Sequence, residues 1–190
     1  MTAFTETQPA SSRNGVDTAT LFATIDHVKA QPELANFRFT ARNTWIDGTH
    51  SRGVVSGFYG AGQDMAHLSE HAVDTDHPVV LCGSDQGATP VEMLLLGLAG
   101  CLTAGLANIA AARGVTLRSV ESTVEGAIDL QGILGLSKDV RNGFHDVRVT
   151  FRIDADCSPE QVQKLVAQSQ ARSAVFDVLT NGCPVTVTVA

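Results

Sequence analysis

The sequence predicts an α+β domain in which antiparallel strands gather on both sides of one long apolar helix. Three observations carry this. Residues 89–114, TPVEMLLLGLAGCLTAGLANIAAARG, hold no charge between Glu92 and Arg113. Segments of period-two hydrophobicity lie both before and after that run. Strands and helices do not alternate regularly, as a parallel α/β sheet would require.

The first segment, MTAFTETQPASSRNG, has neither a basic n-region nor an apolar h-region, so it does not read as a secretory signal. It is expected to be a disordered tail over residues 1–16, with a single domain over 17–190, in a cytoplasmic setting where thiols stay reduced. DTATLFATIDHVKA (17–30) places Leu21, Ile25 and Val28 on one face, a helix stopped by Gln31-Pro32. FRFTARNTWI (37–46) alternates Phe37, Phe39 and Ala41 against Arg38, Thr40 and Arg42, the pattern of a half-buried strand. Asp47-Gly48 is turn chemistry, after which HSRGVVSGF returns antiparallel. A glycine-rich stretch follows, and HPVVL (77–81) reads as a short strand. GSDQGA is a loop leading into the apolar run.

After Gly114 the period is two again. VTLRSVESTVEGAIDL (115–130) and DVRVTFRID (146–154) are strands, the second with Val147, Val149, Phe151 and Ile153 on one face. Residues 131–145 join them by a connection longer than a tight hairpin needs. SPEQVQKLVAQSQA starts a helix with Ser158 as N-cap and Pro159 at N1. SAVFDVL is a short apolar turn, and PVTVTV a final strand.

Composition narrows the function classes. The chain has 190 residues, 44% hydrophobic and 17% charged, which is the balance of one folded soluble domain. A net charge of −7 with scattered Lys and Arg excludes a phosphate-tracking surface, so no nucleic-acid partner is expected. The four cysteines, Cys82, Cys101, Cys157 and Cys183, form no CxxC and no His/Cys cluster, so neither a metal nor another cofactor is expected.

The apolar run has well-marked ends. Thr89, Pro90 and Glu92 make a capping box at N-cap, N1 and N3, while Arg113 and Gly114 suit the C-terminus. Roughly 23–24 helical residues span about 35 Å, enough to cross a bilayer. Abundant Ala and Gly, absent aromatic anchors and strands on both sides favour a helix surrounded by protein instead, with no membrane partner. On this helix Gly97 and Gly105 lie one turn either side of Cys101 and would leave a notch beside the sulfur. Two roles for Cys101 stand on this evidence: an inert buried thiol, or a reactive one reached through the notch.

TPVEMLLLGLAGCLTAGL, GVTLRSVESTVEGAIDLQGILG and ARSAVFDVLTNGCPVTVTV together resemble the OsmC-like family, which includes osmotically inducible protein C and the organic hydroperoxide resistance proteins. The similarity runs from about Phe37 to the C-terminus. It implies the OsmC-like fold as an intertwined homodimer, with long central helices between sheets built by both subunits. It also implies thiol-dependent reduction of organic hydroperoxides in oxidative stress defence, with a small-molecule peroxide and a thiol reductant as partners. The family's peroxidatic cysteine falls on Cys101.

A buried thiol needs something to offset desolvation before it can ionise. In the family an arginine from the N-terminal hairpin does this, itself held by a glutamate at the start of the cysteine helix. Arg52 is the matching arginine, with His50 and Arg42 nearby and without the usual Gly-Gly-Arg context. In the hydroperoxide resistance proteins the glutamate lies ten residues before the cysteine. Val91 is there, and Glu92 follows it; Glu92 is the candidate for that catalytic role, beside its place in the capping box. The family's resolving cysteine corresponds to Ser173, in Ser173-Ala174-Val175-Phe176, so a one-cysteine cycle is expected. Cys183 reads as a buried small residue, Cys157 as an exposed turn thiol, and Cys82 as a spare thiol in the loop before the helix. The alternative class is non-catalytic binding of an apolar small molecule in the dimer-interface cavity.

Overall fold

The computed structural model describes residues 12–189. The chain divides into two compact units, residues 19–94 and residues 95–189 together with 12–18. Residues 1–11 of the expected tail lie outside the described residues. Residues 12–16 do not fit that expectation: β1 (Ser12–Arg13) and β2 (Val16–Asp17) pair as an antiparallel hairpin. The Asn14 side chain, on a left-handed backbone at φ 54°, explains why. Its amide donates to the Val115 carbonyl at 2.9 Å, and its oxygen accepts the Leu117 N–H at 2.9 Å. It thereby satisfies the backbone at the start of a strand.

In the first unit, α1 (Thr18–Ala30) confirms the expected helix. The half-buried strand expected over 37–46 is two shorter ones, β3 (Arg38–Phe39) and β4 (Arg42–Asp47), exposed on both faces. β4 turns through Gly48, at φ 50°, into β5 (His50–Gly60), with Asp47 opposite His50 as expected. β5 then pairs along its other edge with β6 (Gln63–Thr75). β6 is missing from the sequence-based expectation because it combines polar residues on both faces with no apolar alternation. HPVVL is not a strand but one 3₁₀ turn, Val79–Leu81.

Asp76 organises the loop that follows β6, and it is 1% exposed. Its Oδ1 accepts from the Thr49 hydroxyl at 2.5 Å and the His77 N–H at 2.8 Å. Its Oδ2 accepts the N–H groups of Ser84 and Gln86 at 3.0 and 3.1 Å. The Thr49 hydroxyl, then the backbone donors, outweigh desolvation and hold this carboxyl down at about 2, against an ordinary 3.8. Because the folded value is depressed, the stabilisation is fully present above the ordinary value and disappears as pH falls through about 2. Asp76→Ala is expected to lower Tm by on the order of 10 °C at neutral pH. Melting curves should show that gap between wild type and variant closing as pH drops from about 4 towards about 2. A gap independent of pH would contradict this role.

The second unit holds the core. α2 (Pro90–Ala112) begins in the preceding unit and has 23 residues, as its caps predict. Gly114 closes it at φ 73°, with the Val115 N–H donating back to the Ala110 carbonyl at 2.9 Å. β7 (Leu117–Ala127) and β8 (Asp146–Ala155) pair antiparallel, with Val124 opposite Val149 and Val120 opposite Ile153. A single-turn helix α3 (Leu130–Ile133) lies in the connection between them. α4 (Pro159–Ala171) carries the expected Ser158 cap, completed as a capping box by Gln161. Leu106, Ile109 and Ala110 of α2 bury against Leu165 of α4, with Val115, Leu117, Val120 and Ile153 packed around them.

Two further expectations change. SAVFDVL is not a turn: Ser173 caps a two-turn helix, α5 (Ala174–Asn181). The final PVTVTV is assigned to no strand, and Val185, Val187 and Val189 are exposed. Nor do the described residues surround α2. Only one stripe, centred on Leu98, Leu102, Leu106 and Ile109, is buried, while Leu96 is 60% exposed.

Candidate active site

Cys101 sits on α2 beside the buried stripe, half-buried. The sulfur faces the start of α5. Ser173, 5% exposed, is the N-cap of that helix, and its hydroxyl oxygen accepts the Phe176 N–H at 3.1 Å. With that lone pair engaged, the hydroxyl donates to the Cys101 Sγ at 3.1 Å. The N–H groups of Ala174 and Val175, in the first turn of α5, have no intrahelical acceptor. Burial pushes the Cys101 thiol up, but the Ser173 hydroxyl, then the Val175 and Ala174 amides, outweigh it and leave the thiol below its ordinary range.

This answers how a thiol in apolar surroundings can ionise. Within its own helix Cys101 lies too far from the N-terminus to feel that dipole. The start of a second helix, brought up by the α4–α5 connection, places the Ser173 hydroxyl on the sulfur. Sequence reasoning missed this because it read 173–179 as a turn. The signal was present: Ser173 at N-cap and Gly182 just past the end bracket an eight-residue helix, with Asp177 in its first turn.

The glycines flanking Cys101 differ. A Cβ on Gly105 would stand 2.7 Å from the Ser169 Oγ, so this half of the expected notch is filled by α4. Ser169 is 2% exposed, and its hydroxyl donates to the Leu102 carbonyl at 2.6 Å, which draws the two helices together. A Cβ on Gly97 would meet open space, as would one on Gly100. Of the two glycines expected to make a notch, Gly105 is thus occupied by α4, while Gly97 is exposed.

Arg52 and Glu92 belong to the other unit, and each has partners there. The Arg52 guanidinium grips Asp74 of β6 through Nε at 3.0 Å and Nη2 at 2.9 Å. His50 Nε2 lies 3.0 Å from the same carboxylate. Arg52 first, then His50, hold the Asp74 carboxyl below the ordinary range. Glu92 Oε2 accepts from the Thr89 N–H at 2.7 Å and the Thr89 hydroxyl at 2.8 Å, the expected capping box. The residue gripping Arg52 is thus Asp74, and the hydrogen bonds of Glu92 are local to the helix start.

The other thiols are all free. Cys82 is exposed at a left-handed φ of 65°. Cys157 is half-buried against the core rather than exposed, and Cys183 is exposed rather than buried. Both differences follow from packing: 157 lies where β8 meets α4, and 183 lies beyond α5 on the unpaired segment. Among the described residues no cluster of three or more His, Cys, Asp or Glu could hold a metal ion.

The family model described as OsmC-like protein matches residues 83–188, more than half of the chain. No curated protein matches. Among solved structures, the OsmC-like protein from Mycoplasma pneumoniae is similar with a TM-score of 0.58 at 15% identity, over 75% of this chain and 86% of that one. The organic hydroperoxide resistance protein OsmC from Legionella pneumophila is similar with a TM-score of 0.52 at 16% identity, over 76% and 91%. At such identities the likeness speaks for the fold. With the match to the family model it bears out the expected α+β fold of the single chain: this chain belongs to the OsmC-like family.

Proposed function

We propose that the protein reduces organic hydroperoxides with Cys101 as its single redox-active thiol. The observation that carries this is the half-buried Cys101 sulfur, which accepts a hydrogen bond from the Ser173 hydroxyl at the start of α5. Membership of a family that includes organic hydroperoxide resistance proteins supports it.

The thiolate attacks the outer oxygen of R–O–OH. An S–O bond forms as the O–O bond breaks, and sulfur loses two electrons to give sulfenic acid. The alkoxide leaves and takes the proton released when the thiol ionised, giving the alcohol. Ser173 cannot resolve the sulfenic acid, because a hydroxyl does not form a disulfide. A small-molecule thiol therefore attacks the sulfenic sulfur, releasing water and leaving a mixed disulfide. A second thiol molecule restores Cys101 and carries away the oxidised reductant. Dimedone added after one equivalent of cumene hydroperoxide should label Cys101, and mass spectrometry should find the adduct there. Peroxide consumption without such labelling would overturn the reading.

The working species in this proposal is a homodimer. Residues 19–94 bury only Gly60 and Asp76, which is no hydrophobic core. Phe39 and Trp45 are 72% and 69% exposed there. On α2, Gly97, Gly100, Ala104 and Asn108 form an exposed stripe of small residues, narrow enough for a second helix to approach closely. Gly100→Leu is expected to convert the dimer to monomer in sedimentation velocity at micromolar concentration. A wild type that is already monomeric would remove this element.

A further inference from the structure

We infer that Ser173 sets the ionisation of Cys101, its hydroxyl donating directly to the sulfur while it caps α5. Three features converge on this. Ser173 is nearly fully buried, so water does not compete for its hydroxyl. Its acceptor side is engaged by the Phe176 N–H at 3.1 Å, which leaves the proton for the sulfur, also at 3.1 Å. The amides of Ala174 and Val175 have no acceptor within α5 and lie at the helix end that carries this hydroxyl. A thiolate is a better acceptor than a thiol, so this donor set favours the ionised form over the neutral one.

This rests on the proposed role of Cys101 as the reacting thiol, but its test needs no peroxide. The pH dependence of alkylation by iodoacetamide reports the ionisation of Cys101 directly, followed at that residue by mass spectrometry. Ser173→Gly removes the hydroxyl and keeps a residue that caps helices nearly as well as serine, so α5 should survive. Ser173→Thr keeps both hydroxyl and cap. The midpoint is expected to move up by about one pH unit in Ser173→Gly, which is about a tenfold loss of alkylation rate at pH 7. Ser173→Thr should return the rate to within about threefold of wild type. An unchanged midpoint in Ser173→Gly overturns the inference, as does a shift that Ser173→Thr fails to reverse. A shifted midpoint in a protein that consumes no peroxide leaves the inference standing and refutes the proposed function instead.

Discussion

Cys101→Ser is expected to reduce hydroperoxide consumption to the uncatalysed background, a loss of at least about 10³-fold. A serine at this position is nearly isosteric and half-buried next to Ser173, so α2 and its packing on α4 should be unchanged. What disappears is the chemistry. An alkoxide is not accessible near neutral pH, and oxygen cannot accept an oxygen atom from the peroxide as sulfur does. Cumene hydroperoxide and dithiothreitol are suitable substrates, with equal Tm for the two proteins as the control. Activity surviving in Cys101→Ser would mean that Cys82, Cys157 or Cys183 reacts, and the assignment of the site to Cys101 would be wrong. The single variants Cys82→Ser and Cys183→Ser, both of exposed thiols, should retain full activity.

The parts of this molecule that were legible in the sequence are those governed by local rules. α2 was readable end to end because both caps are written in it: Thr89, Pro90 and Glu92 at one end, Gly114 at the other. β8 was readable because Val147, Val149, Phe151 and Ile153 lie on a face half-buried over the core. β6 was not, because apolar burial does not hold it in this chain; its backbone is paired along β5, and its side chains are largely exposed. Alternation is a signature of a buried face, and a strand without one leaves no such trace. The valines at 185, 187 and 189 are the converse: they alternate, yet among the described residues they are exposed and belong to no strand.

The site divides along the same line. Cys101 was identifiable from its helix and its flanking glycines, but the meaning of those glycines was not. Whether Gly105 opens a notch or admits Ser169 depends on where α4 crosses, a question of tertiary packing. The Ser173 hydroxyl is not foreseen as a donor to the sulfur, because the cap on which it sits belongs to a helix that the sequence reading takes for a turn. Asp74, which grips Arg52 and His50, was overlooked for a related reason: it lies on the strand that the sequence did not reveal.

Ser173→Cys is the second large effect expected, because it should change the product of oxidation rather than its rate alone. The serine oxygen already stands 3.1 Å from the Cys101 sulfur. A cysteine there carries a longer bond to its terminal atom, so its sulfur needs to close only about 1 Å further to reach a disulfide length of about 2.05 Å. Cysteine caps a helix poorly, and a stability loss of about 1 kcal/mol is expected at the start of α5. The first oxidation should also slow, since the hydroxyl donor is gone. Its product, however, is captured within the site: the introduced thiolate displaces water from the sulfenic acid and forms an S–S bond. Under excess peroxide without reductant, wild-type Cys101 should advance to sulfinic acid and lose activity irreversibly. The variant should instead lose the mass of two hydrogens, resist dimedone, and recover fully with dithiothreitol. Intact-mass spectrometry distinguishes the two outcomes in one experiment. Sulfinic acid accumulating equally in both proteins would show that residue 173 does not face the reacting sulfur in solution, and the geometry on which the whole mechanism depends would fail with it.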